Sequence, residues 1–418
     1  MKKITQTLLI FSYILLLSFK VESQTEGLFK ELEGKVIDSN TNNPLIFADI
    51  VIKGSNISTV TNTEGEFLLK IPEFFFESII MISHLGYHKK EIKISEFKNN
   101  EILKLEPAIT ELDVISITTI NKDAEALIVE MLRKKAEIYN KNNTLMTAFY
   151  RESIKKRKKN ASLSEAIVKI HKQSYNSLKK DNIELIKARK NTDYSKLDTL
   201  ALKLQGGPFS NLYTDIIKYP EYIFNNEDIS AYKFSFDKST RINDKLIYVI
   251  NFEQKENVIT PLYYGKLYID SETLALTNAT YSLNVSNKEL TSKMFVKKKP
   301  RKVDVYPTEA TYRVNYRIKN GQWHYAYSNI ALSLKVNWKG KLFNNTYTLN
   351  SEMAITDWEI NDSSIIHVKN ELLRPNTILT DKASGFSDPT FWGAYNIIEP
   401  EKSIETAIKK IQKQLNKT

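Results

Sequence analysis

From residue 28 to residue 106, short runs of alternating apolar and polar residues are separated by polar or glycine-containing turns. Ala48, Ile50 and Ile52, for example, fall on one side of an extended chain. Glu64-Gly65 separates two such runs, and glycine can take the positive φ that a tight turn requires. Seven short runs with no helical period between them predict an antiparallel β-sandwich over residues 28–106.

The pattern changes to a helical spacing after a predicted linker over residues 107–120. Apolar residues then recur at intervals of three and four. This spacing predicts an amphipathic helix over 122–140, for which Asn121 and Asp123 are the candidate N-caps.

Alternating, tyrosine-rich segments follow this helix and predict strands. The predicted strands are Leu145–Ile154, Ser164–His171, Tyr232–Phe236, Leu246–Phe252, Tyr264–Ile269, Leu274–Leu283, Ala310–Ile318, Trp323–Tyr327, Ile330–Trp338 and Tyr347–Trp358. Asn320-Gly321 is the strongest hairpin signal, because this pair favours a type I′ turn, and Asn243-Asp244 and Asp270-Ser271 are next. Together these segments predict a large antiparallel sheet.

The last residues return to a helical pattern, with apolar residues on one face and lysines in the final turns, which predicts a helix over 400–416. The predicted fold class is therefore mainly β with flanking helices. A seven-stranded sandwich precedes a large antiparallel sheet domain with an α-helix at each end. A half-barrel is one form that this sheet can take.

Charge divides the chain near residue 113. Residues 24–113 contain nine lysines and fifteen acidic residues, a net charge of −6, whereas residues 114–418 carry +15. A change of sign of this size is typical of a domain boundary. We therefore expect two domains, the sandwich and a basic β-rich domain over residues 121–418.

Residues 1–23 have the pattern of a secretory signal peptide. Two lysines precede the apolar run Leu8–Phe19, and Val21-Glu22-Ser23 permits cleavage before Gln24. The run is shorter than the roughly 20 residues that span a bilayer, and an uncleaved anchor is the alternative. We expect an exported protein of the periplasm or the periplasmic face of the outer membrane, with no membrane span after cleavage. The chain has no cysteine, which excludes disulfides and thiolate sites.

The sandwich region carries the motifs of a known family. They are Gly34, Pro44-Leu45, Ala48, Lys53-Gly54, Thr61, Gly65, Phe67, Ser83 and Gly86-Tyr87. In these residues the chain closely resembles the carboxypeptidase-regulatory-like domain that precedes many TonB-dependent receptors and other cell-envelope proteins of Bacteroidetes. The resemblance implies a transthyretin-like or Ig-like sandwich that has no catalytic apparatus and serves as a folding or docking module. Later segments such as AFYRES resemble the uncharacterised β-rich region of longer envelope proteins of this group, which have no established activity.

The five histidines form no catalytic or metal-binding pattern in the sequence. His84 and His88 are separated by a predicted turn, and the local sequence offers no third ligand. Neither His-Glu-x-x-His nor Gly-x-Ser-x-Gly occurs, and we interpret Gln205–Phe209 as a turn rather than an anion-binding nest. We therefore predict no catalytic, cofactor-binding or metal-binding residues and no enzyme activity, and a hydrolase is the least favoured alternative.

Two dense basic clusters are the candidate binding residues. They comprise Lys155, Lys156, Arg157, Lys158, Lys159, Lys297, Lys298, Lys299, Arg301 and Lys302. Exposed lysines at strand ends can contact an anionic lipid or an acidic envelope protein, and a merely solvated surface is the alternative. Nucleic acid is not expected as a partner, because no recognition motif occurs and the chain is predicted to be exported.

The segment Tyr263–Asp270 is similar to the periplasmic lipoprotein-carrier half-barrels, in which a curved sheet encloses an apolar cavity. The leading hypothesis is a non-enzymatic cell-envelope protein for binding or assembly, with the sandwich as its docking module. The alternative is a carrier or sensor of a lipid-like ligand in the second domain. A continuous apolar cavity between sheet and helices would favour the carrier, and a packed core would favour the assembly factor.

Overall fold

The computed structural model describes residues 28–108, 110–111, 123–157, 159–192, 206–224, 229–238, 240–242, 245–296, 301–340, 344–361, 370–383, 385 and 390–402. The predicted signal peptide and nearly all of the predicted C-terminal helix lie outside these residues, as do Asn121 and the Asn243-Asp244 turn. None of the helices in the described part is both long enough and apolar enough to cross a membrane.

Seven strands form the N-terminal sandwich, as predicted. They are β1 (Phe29–Asp38), β2 (Asp49–Ile52), β3 (Ser58–Val60), β4 (Glu66–Pro72), β5 (Ile79–Ser83), β6 (Lys90–Lys93) and β7 (Glu101–Leu105). One sheet has the order β4-β1-β7 and the other has the order β3-β2-β5-β6. Leu32, Val36, Ile50 and Ile82 are fully buried in the cluster that forms its core.

One pairing in the sandwich differs from the antiparallel arrangement that we predicted. β1 and β7 are parallel, with Val36 opposite Leu103. Parallel neighbours require a long crossover, and here all four strands of the second sheet lie between β1 and β7 in the chain.

The second domain is built on one large sheet. Its strands are β8 (Thr110–Glu111), β9 (Thr144–Lys156), β10 (Lys159–Lys172), β11 (Asn182–Thr192), β12 (Tyr232–Phe236), β13 (Thr240–Ile242), β14 (Lys245–Gln254), β15 (Tyr263–Asp270), β16 (Leu276–Leu283), β17 (Val303–Lys319), β18 (Gln322–Trp338), β19 (Asn345–Ile360) and β20 (Glu371–Leu372). Their order is β20-β11-β10-β9-β19-β18-β17-β16-β15-β14-β13-β8, and β12 also pairs with β14. The sheet is antiparallel and stays open, which confirms the predicted fold class.

Strand β18 is longer than predicted. The sequence predicts two strands, Trp323–Tyr327 and Ile330–Trp338, because polar residues interrupt the apolar pattern between them. In the structure these residues have partners, since the Asn329 side-chain amide donates to Asn350 of β19 at 3.0 Å. The sequence also does not predict β11, where the charged residues Glu184, Lys187, Arg189 and Lys190 obscure the alternation of apolar and polar positions.

The predicted helix over 122–140 is divided into two, α1 (Ala124–Arg133) and α2 (Lys135–Ile138). The Asp123 carboxylate accepts the backbone N–H of Glu125 at 3.2 Å, so Asp123 is the N-cap. Two further helices are not predicted from the sequence, α3 (Pro208–Leu212) and α4 (Lys288–Phe295).

The two faces of the large sheet have different neighbours. On one, the helix face, Tyr150 belongs to a buried cluster with α1 and residues 206–224. On the other, the sandwich face, Phe149 belongs to a buried cluster with Val60 and Leu68 of the sandwich. Successive residues of a strand point to opposite faces, so the central strands are buried on both sides.

Candidate functional site

The first basic cluster forms the tip of the hairpin between β9 and β10. Lys155 and Lys156 end β9, Lys159 begins β10, and Arg157 lies in the turn with a φ of +54°. The Arg157 backbone N–H donates to the carbonyl oxygen of Thr346 at 2.8 Å. This bond holds the tip against the neighbouring strand β19.

The second basic cluster lies at the start of β17. Arg301 and Lys302 immediately precede this strand, and the carbonyl oxygen of Lys302 accepts the backbone N–H of Lys339 at 2.9 Å. That bond places the turn after β18 beside the cluster. Lys158 and Lys297–Lys299, the other predicted site residues, lie outside the described residues.

Strand register brings the two clusters to the same end of the sheet. Lys156 in β9 is opposite Tyr347 in β19, and Trp338 in β18 is opposite Val303 in β17. The strands β10, β9, β19, β18 and β17 are consecutive neighbours, so the clusters lie three to four strand spacings apart, about 15–20 Å across the sheet. Lys156 is level with Leu334 and Pro307 in this register, so the first cluster ends several residues short of the second along the strands. We call the exposed cations described here the basic end, which consists of Arg157, Lys159, Arg301, Lys302 and Lys339.

The basic end carries positive charge that nearby acidic groups do not neutralise. Within the part of the chain that the structure describes, no carboxylate forms an ion pair of 4.0 Å or less with its five side chains. Asp304, in β17, is an exposed acidic residue close to it in sequence. Lys155 and Lys156 differ, because Lys155 lies 3.7 Å from Glu401 and Lys156 lies 5.9 Å from the ring of Tyr347. These two lysines support the local structure, whereas the basic end faces solvent.

Lys339 is absent from the residues predicted from the sequence. It lies in the turn Trp338-Lys339-Gly340, two residues before Lys341, and belongs to neither of the two predicted clusters. Only the pairing of β17 with β18 places it beside Arg301 and Lys302. A lysine in a turn at a strand end is the sole sequence signal that could have identified it.

Helix α4 adds an exposed apolar side chain near the basic end. The Ser292 hydroxyl donates to the carbonyl oxygen of Val305, which fixes the helix to β17. Phe295 packs against the buried cluster that contains Val305, whereas Met294 is 50% exposed. Positive charge and an apolar side chain therefore occur together at this end of the sheet.

The sandwich is attached at the opposite end of β17. Arg317 forms an ion pair with Asp49 at 2.5 Å and donates to the hydroxyl of Ser58 at 2.9 Å. The Ser58 hydroxyl donates in turn to the carbonyl oxygen of Ile355 at 3.0 Å. These contacts lie a full strand length away from Arg301.

Residues 390–401, which we call the closing segment, connect the sandwich with the large sheet. The Thr59 hydroxyl donates to the carbonyl oxygen of Ile397 at 2.8 Å. The Asn396 side chain accepts the backbone N–H of Lys70 at 2.7 Å and donates to its carbonyl oxygen at 3.1 Å. Asn396 therefore bonds to the edge of β4 as a neighbouring strand would.

A buried ion network lies beneath the closing segment. Arg151 contacts Glu165 at 2.8 Å and Glu352 at 3.2 Å, and it donates to the carbonyl oxygen of Ile398 at 2.8 Å. Burial alone would lower the pKa of Arg151, but the two glutamates raise it above its ordinary value. The arginine stays charged and holds the closing segment through a charge-assisted hydrogen bond.

A second buried ion group lies on the helix face. The Lys172 ammonium contacts Asp181 at 2.8 Å and Asp215 at 2.7 Å. The hydroxyls of Tyr175 and Tyr316 donate to Asp215 at 3.0 and 2.9 Å. Burial alone would lower the pKa of Lys172, but the two aspartates raise it. Groups that satisfy one another in this way are typical of a structural network.

A cavity of about 280 Å³ lies beside α1. It is lined by Val129, Leu132, Arg133, Lys135, Pro220, Phe224 and Ile229. Elsewhere on the described part of the helix face, buried side chains including Tyr139, Tyr175 and Phe209 pack together.

The histidines of the described part occupy separate positions, and no group of three or more His, Asp or Glu side chains there could hold a metal ion. The ring nitrogens of His84 contact the carbonyl oxygens of Leu85 at 2.9 Å and Ile46 at 3.1 Å. Burial lowers the pKa of His84, so the ring is neutral at pH 7.

Of the segment Gln205–Phe209, which we interpreted as a turn, Gln205 lies outside the described residues, Gly206 and Gly207 precede α3, and Pro208 and Phe209 begin this helix. Gly206 and Gly207 have φ of +101° and +49°, which glycine adopts readily. The backbone N–H groups of Gly206 and Phe209 donate to the carbonyl oxygens of Thr377 and Gly206. These two N–H groups form hydrogen bonds within the chain, as expected of a turn, and so they are not directed at an anion.

Residues 32–117 match the family model described as CarboxypepD_reg-like domain. This match confirms the resemblance that the sandwich motifs indicated. Of the described strands of the large sheet, the match includes only β8. A comparison of the chain with curated proteins finds no match.

Similarity to solved structures is weak. The chain is 10% identical to a domain named for outer membrane lipoprotein sorting from Vibrio parahaemolyticus, with 58% of this chain and 94% of that chain covered and a TM-score of 0.24. A DUF1329 family protein from Desulfovibrio piger gives 10% identity, 58% and 95% coverage and a TM-score of 0.23. A LolA superfamily protein from Nitrosomonas europaea gives 10% identity, 56% and 94% coverage and a TM-score of 0.19.

Proposed function

We propose that the protein is a non-enzymatic binding or assembly factor of the cell envelope whose basic end binds an anionic partner. One observation carries the proposal, namely that strand order brings five exposed cations from three separate parts of the chain to the same end of the sheet. Such a row attracts anionic groups, and salt weakens the attraction because these charges are exposed. The predicted signal peptide supports a location in the periplasm or at the periplasmic face of the outer membrane for this activity.

In this proposal the sandwich is a fixed support for the large sheet. Val60 and Leu68 are buried in a cluster shared with the sheet, and the Arg317–Asp49 ion pair lies at the same junction. A rigid junction holds the basic end in one orientation relative to the sandwich. The free surfaces of the sandwich can then dock a second envelope component.

A carrier or sensor of a lipid-like ligand is the second candidate. The cavity beside α1 favours it, because apolar residues line this cavity together with Arg133 and Lys135. Binding of a fluorescent fatty acid tests this candidate. Saturable binding that Leu132→Trp abolishes, and that substitutions at the basic end leave unchanged, would favour the carrier over the first proposal.

Charge reversal at the basic end tests the leading proposal. The variant combines Arg157→Glu, Arg301→Glu and Lys339→Glu. The control combines Lys141→Glu, Lys179→Glu and Lys180→Glu, which are exposed lysines at the opposite ends of β9 and β10 and give the same change in net charge. Retention is measured on immobilised polyglutamate and on vesicles that contain phosphatidylglycerol, over a series of salt concentrations.

We expect the basic-end variant to lose at least about tenfold in binding to one of these probes, because three of five attractive charges become repulsive. The control should lose much less, and wild-type binding should fall as salt approaches physiological strength. Equal behaviour of the two variants at every salt concentration would contradict the proposal.

A further inference from the structure

We infer that the anionic partner of the basic end is the surface of a phospholipid bilayer, with Met294 of α4 inserted among the lipids. The inference rests on the proposed function and specifies its partner. It draws on three observations, namely the shape of the cationic row, the position of Met294 and the location of the sandwich.

The cations form a staggered row along strand ends, and none of them lines the cavity beside α1. Arg157 lies in the turn between β9 and β10, Lys339 lies in the turn after β18, and Arg301 precedes β17. Neighbouring strand ends are about 4.8 Å apart, so side chains in such a row can each meet a different headgroup. A surface of many equivalent phosphates suits this arrangement, because each contact is electrostatic and requires no shaped recess.

Met294 is held outward by the packing of its own helix. Ser292 is bonded to the carbonyl oxygen of Val305, and the Lys288 ammonium lies 4.9 Å from the ring centre of Tyr306. Both contacts fix α4 to the first residues of β17, directly after Arg301 and Lys302. With Phe295 packed on the buried cluster, Met294 stays half exposed.

An exposed apolar side chain beside lysines and arginines is typical of proteins that bind at a membrane surface. The apolar group enters the headgroup region while the cations contact phosphates. A protein partner of comparable affinity would be expected to use aromatic or arginine anchors buried in pockets. Lys293, next to Met294, pairs with Glu289 at 2.8 Å, so the cations of the basic end supply the attraction.

At β17 the sandwich does not obstruct this contact, because Arg317 attaches it at the other end of that strand. On the β9 side the sandwich comes closer to the basic end, since Thr63 donates to Glu401 at 2.5 Å and Glu401 lies 3.7 Å from Lys155. A bilayer at the basic end leaves room for an envelope component at the sandwich. The molecule would then connect a membrane surface with a second partner.

A fluorescent probe at position 294 tests the inference. The chain has no cysteine, so Met294→Cys can be labelled at one site with the environment-sensitive dye NBD. Lys141→Cys, an exposed position at the opposite end of β9, is the matched control. Each labelled protein is mixed with phosphatidylcholine vesicles with and without phosphatidylglycerol, at low salt and at about 0.15 M salt.

We expect the emission of the probe at 294 to shift to the blue and to rise at least about twofold with phosphatidylglycerol vesicles, because the dye leaves water. The probe at 141 should not change. In a flotation assay, unlabelled Met294→Asp should bind the same vesicles about fivefold more weakly than wild type, and Met294→Leu should restore binding. Circular dichroism of Met294→Asp verifies that the variant is folded.

Two results would overturn the inference. Binding to anionic vesicles without any change at position 294 would mean that another surface contacts the lipid. Absence of vesicle binding, together with charge-dependent retention on polyglutamate, would identify an acidic protein as the partner class. In that case the proposed function would stand, but the inference of a bilayer would fail. A protein that binds neither vesicles nor polyglutamate would contradict the proposed function and the inference together.

Discussion

Several buried charged residues in the described part of the chain have oppositely charged partners, whereas Glu152 has none. Lys172 contacts two aspartates and Arg151 contacts two glutamates. Glu152, on the helix face of β9, accepts a hydrogen bond from the Tyr150 hydroxyl at 2.8 Å but has no cationic partner among the described residues. Burial raises the pKa of Glu152 to about 7. A residue in this state makes stability depend on pH.

We expect Glu152→Gln to remove that dependence. The unfolded carboxyl ionises above about pH 4.5, whereas the folded carboxyl stays neutral until about pH 7. The free energy of unfolding of the wild type should therefore fall as pH rises from about 4.5 to 7, by up to about 3 kcal/mol, and stay level above that range. Glu152→Gln cannot ionise and should lack this fall.

Urea unfolding at about pH 4.5, 6 and 7.5 measures the effect. Glu309→Gln, at an exposed position of β17, is the control and should keep the wild-type profile. Parallel profiles for the wild type and Glu152→Gln would show that the Glu152 carboxyl titrates normally.

At the scale of elements, local sequence determines the turns. Asn320 and Gly321 have φ of +50° and +76°, as in the type I′ turn that the pair predicts, and they connect β17 with β18. Asp270-Ser271 begins a longer connection than predicted. The Asp270 carboxylate accepts the N–H of Thr273 at 2.9 Å, and Leu274 adopts a φ of +62° before β16 begins.

Gly65 and Gly54 together allow the stability cost of backbone strain to be separated from the cost of a steric clash. Gly65 has a φ of +77°, and an added Cβ would lie 2.6 Å from the carbonyl oxygen of Val36. Gly54 has a φ of +82°, but an added Cβ would meet nothing within 4 Å. Gly54→Val should cost about 1–2 kcal/mol from backbone strain, and Gly65→Val about 3–4 kcal/mol, because the clash adds to the strain.

Denaturant unfolding of both variants, followed by circular dichroism, measures the two losses in the free energy of unfolding. A Gly65→Val variant that loses no more stability than Gly54→Val would contradict the clash at Val36. An unchanged melting temperature for Gly65→Val would also refute the turn that the sandwich motifs predict.

At the scale of the whole molecule, the closing segment joins the two domains. The ring centre of Trp392 lies 5.6 Å from that of Phe149 and 4.7 Å from the guanidinium of Arg189. Trp392 belongs to the same buried cluster as Val60 and Leu68 of the sandwich. The sandwich and the sheet therefore share one core, although the bounds 28–106 and 121–418 stay predictions for their independent folding.

We expect Trp392→Ala to destabilise the junction by about 3–5 kcal/mol, the usual cost of removing a buried aromatic side chain. Because the loss falls between the domains, unfolding should change from one transition to two, with one domain melting before the other. Differential scanning calorimetry measures both effects. Phe74→Ala, at an 88% exposed position of the sandwich, should stay within about 0.5 kcal/mol of the wild type. A single transition of unchanged midpoint in Trp392→Ala would show that the junction does not depend on Trp392.

Features that depend on neighbouring residues were predictable. The seven sandwich strands, the Asp123 cap and the Asn320-Gly321 hairpin each follow from spacing or turn chemistry within about ten residues. Features that depend on tertiary contacts were not. α4 is bound to β17 through Ser292, and the polar middle of β18 is satisfied by Asn350 of the neighbouring strand.

The sequence by itself determined a basic β-rich domain behind an acidic sandwich, because composition and alternation are properties of the chain alone. It also identified two basic clusters without relating them to each other. Only the tertiary structure decided that they lie at one sheet end with Lys339, since strand order and register arise from pairings between residues far apart in the chain. The same holds for the closing segment, whose partners Lys70, Arg151 and Thr59 lie hundreds of residues away. Such long-range pairings leave no periodic signal in the sequence, because each is set by the packing of the whole molecule.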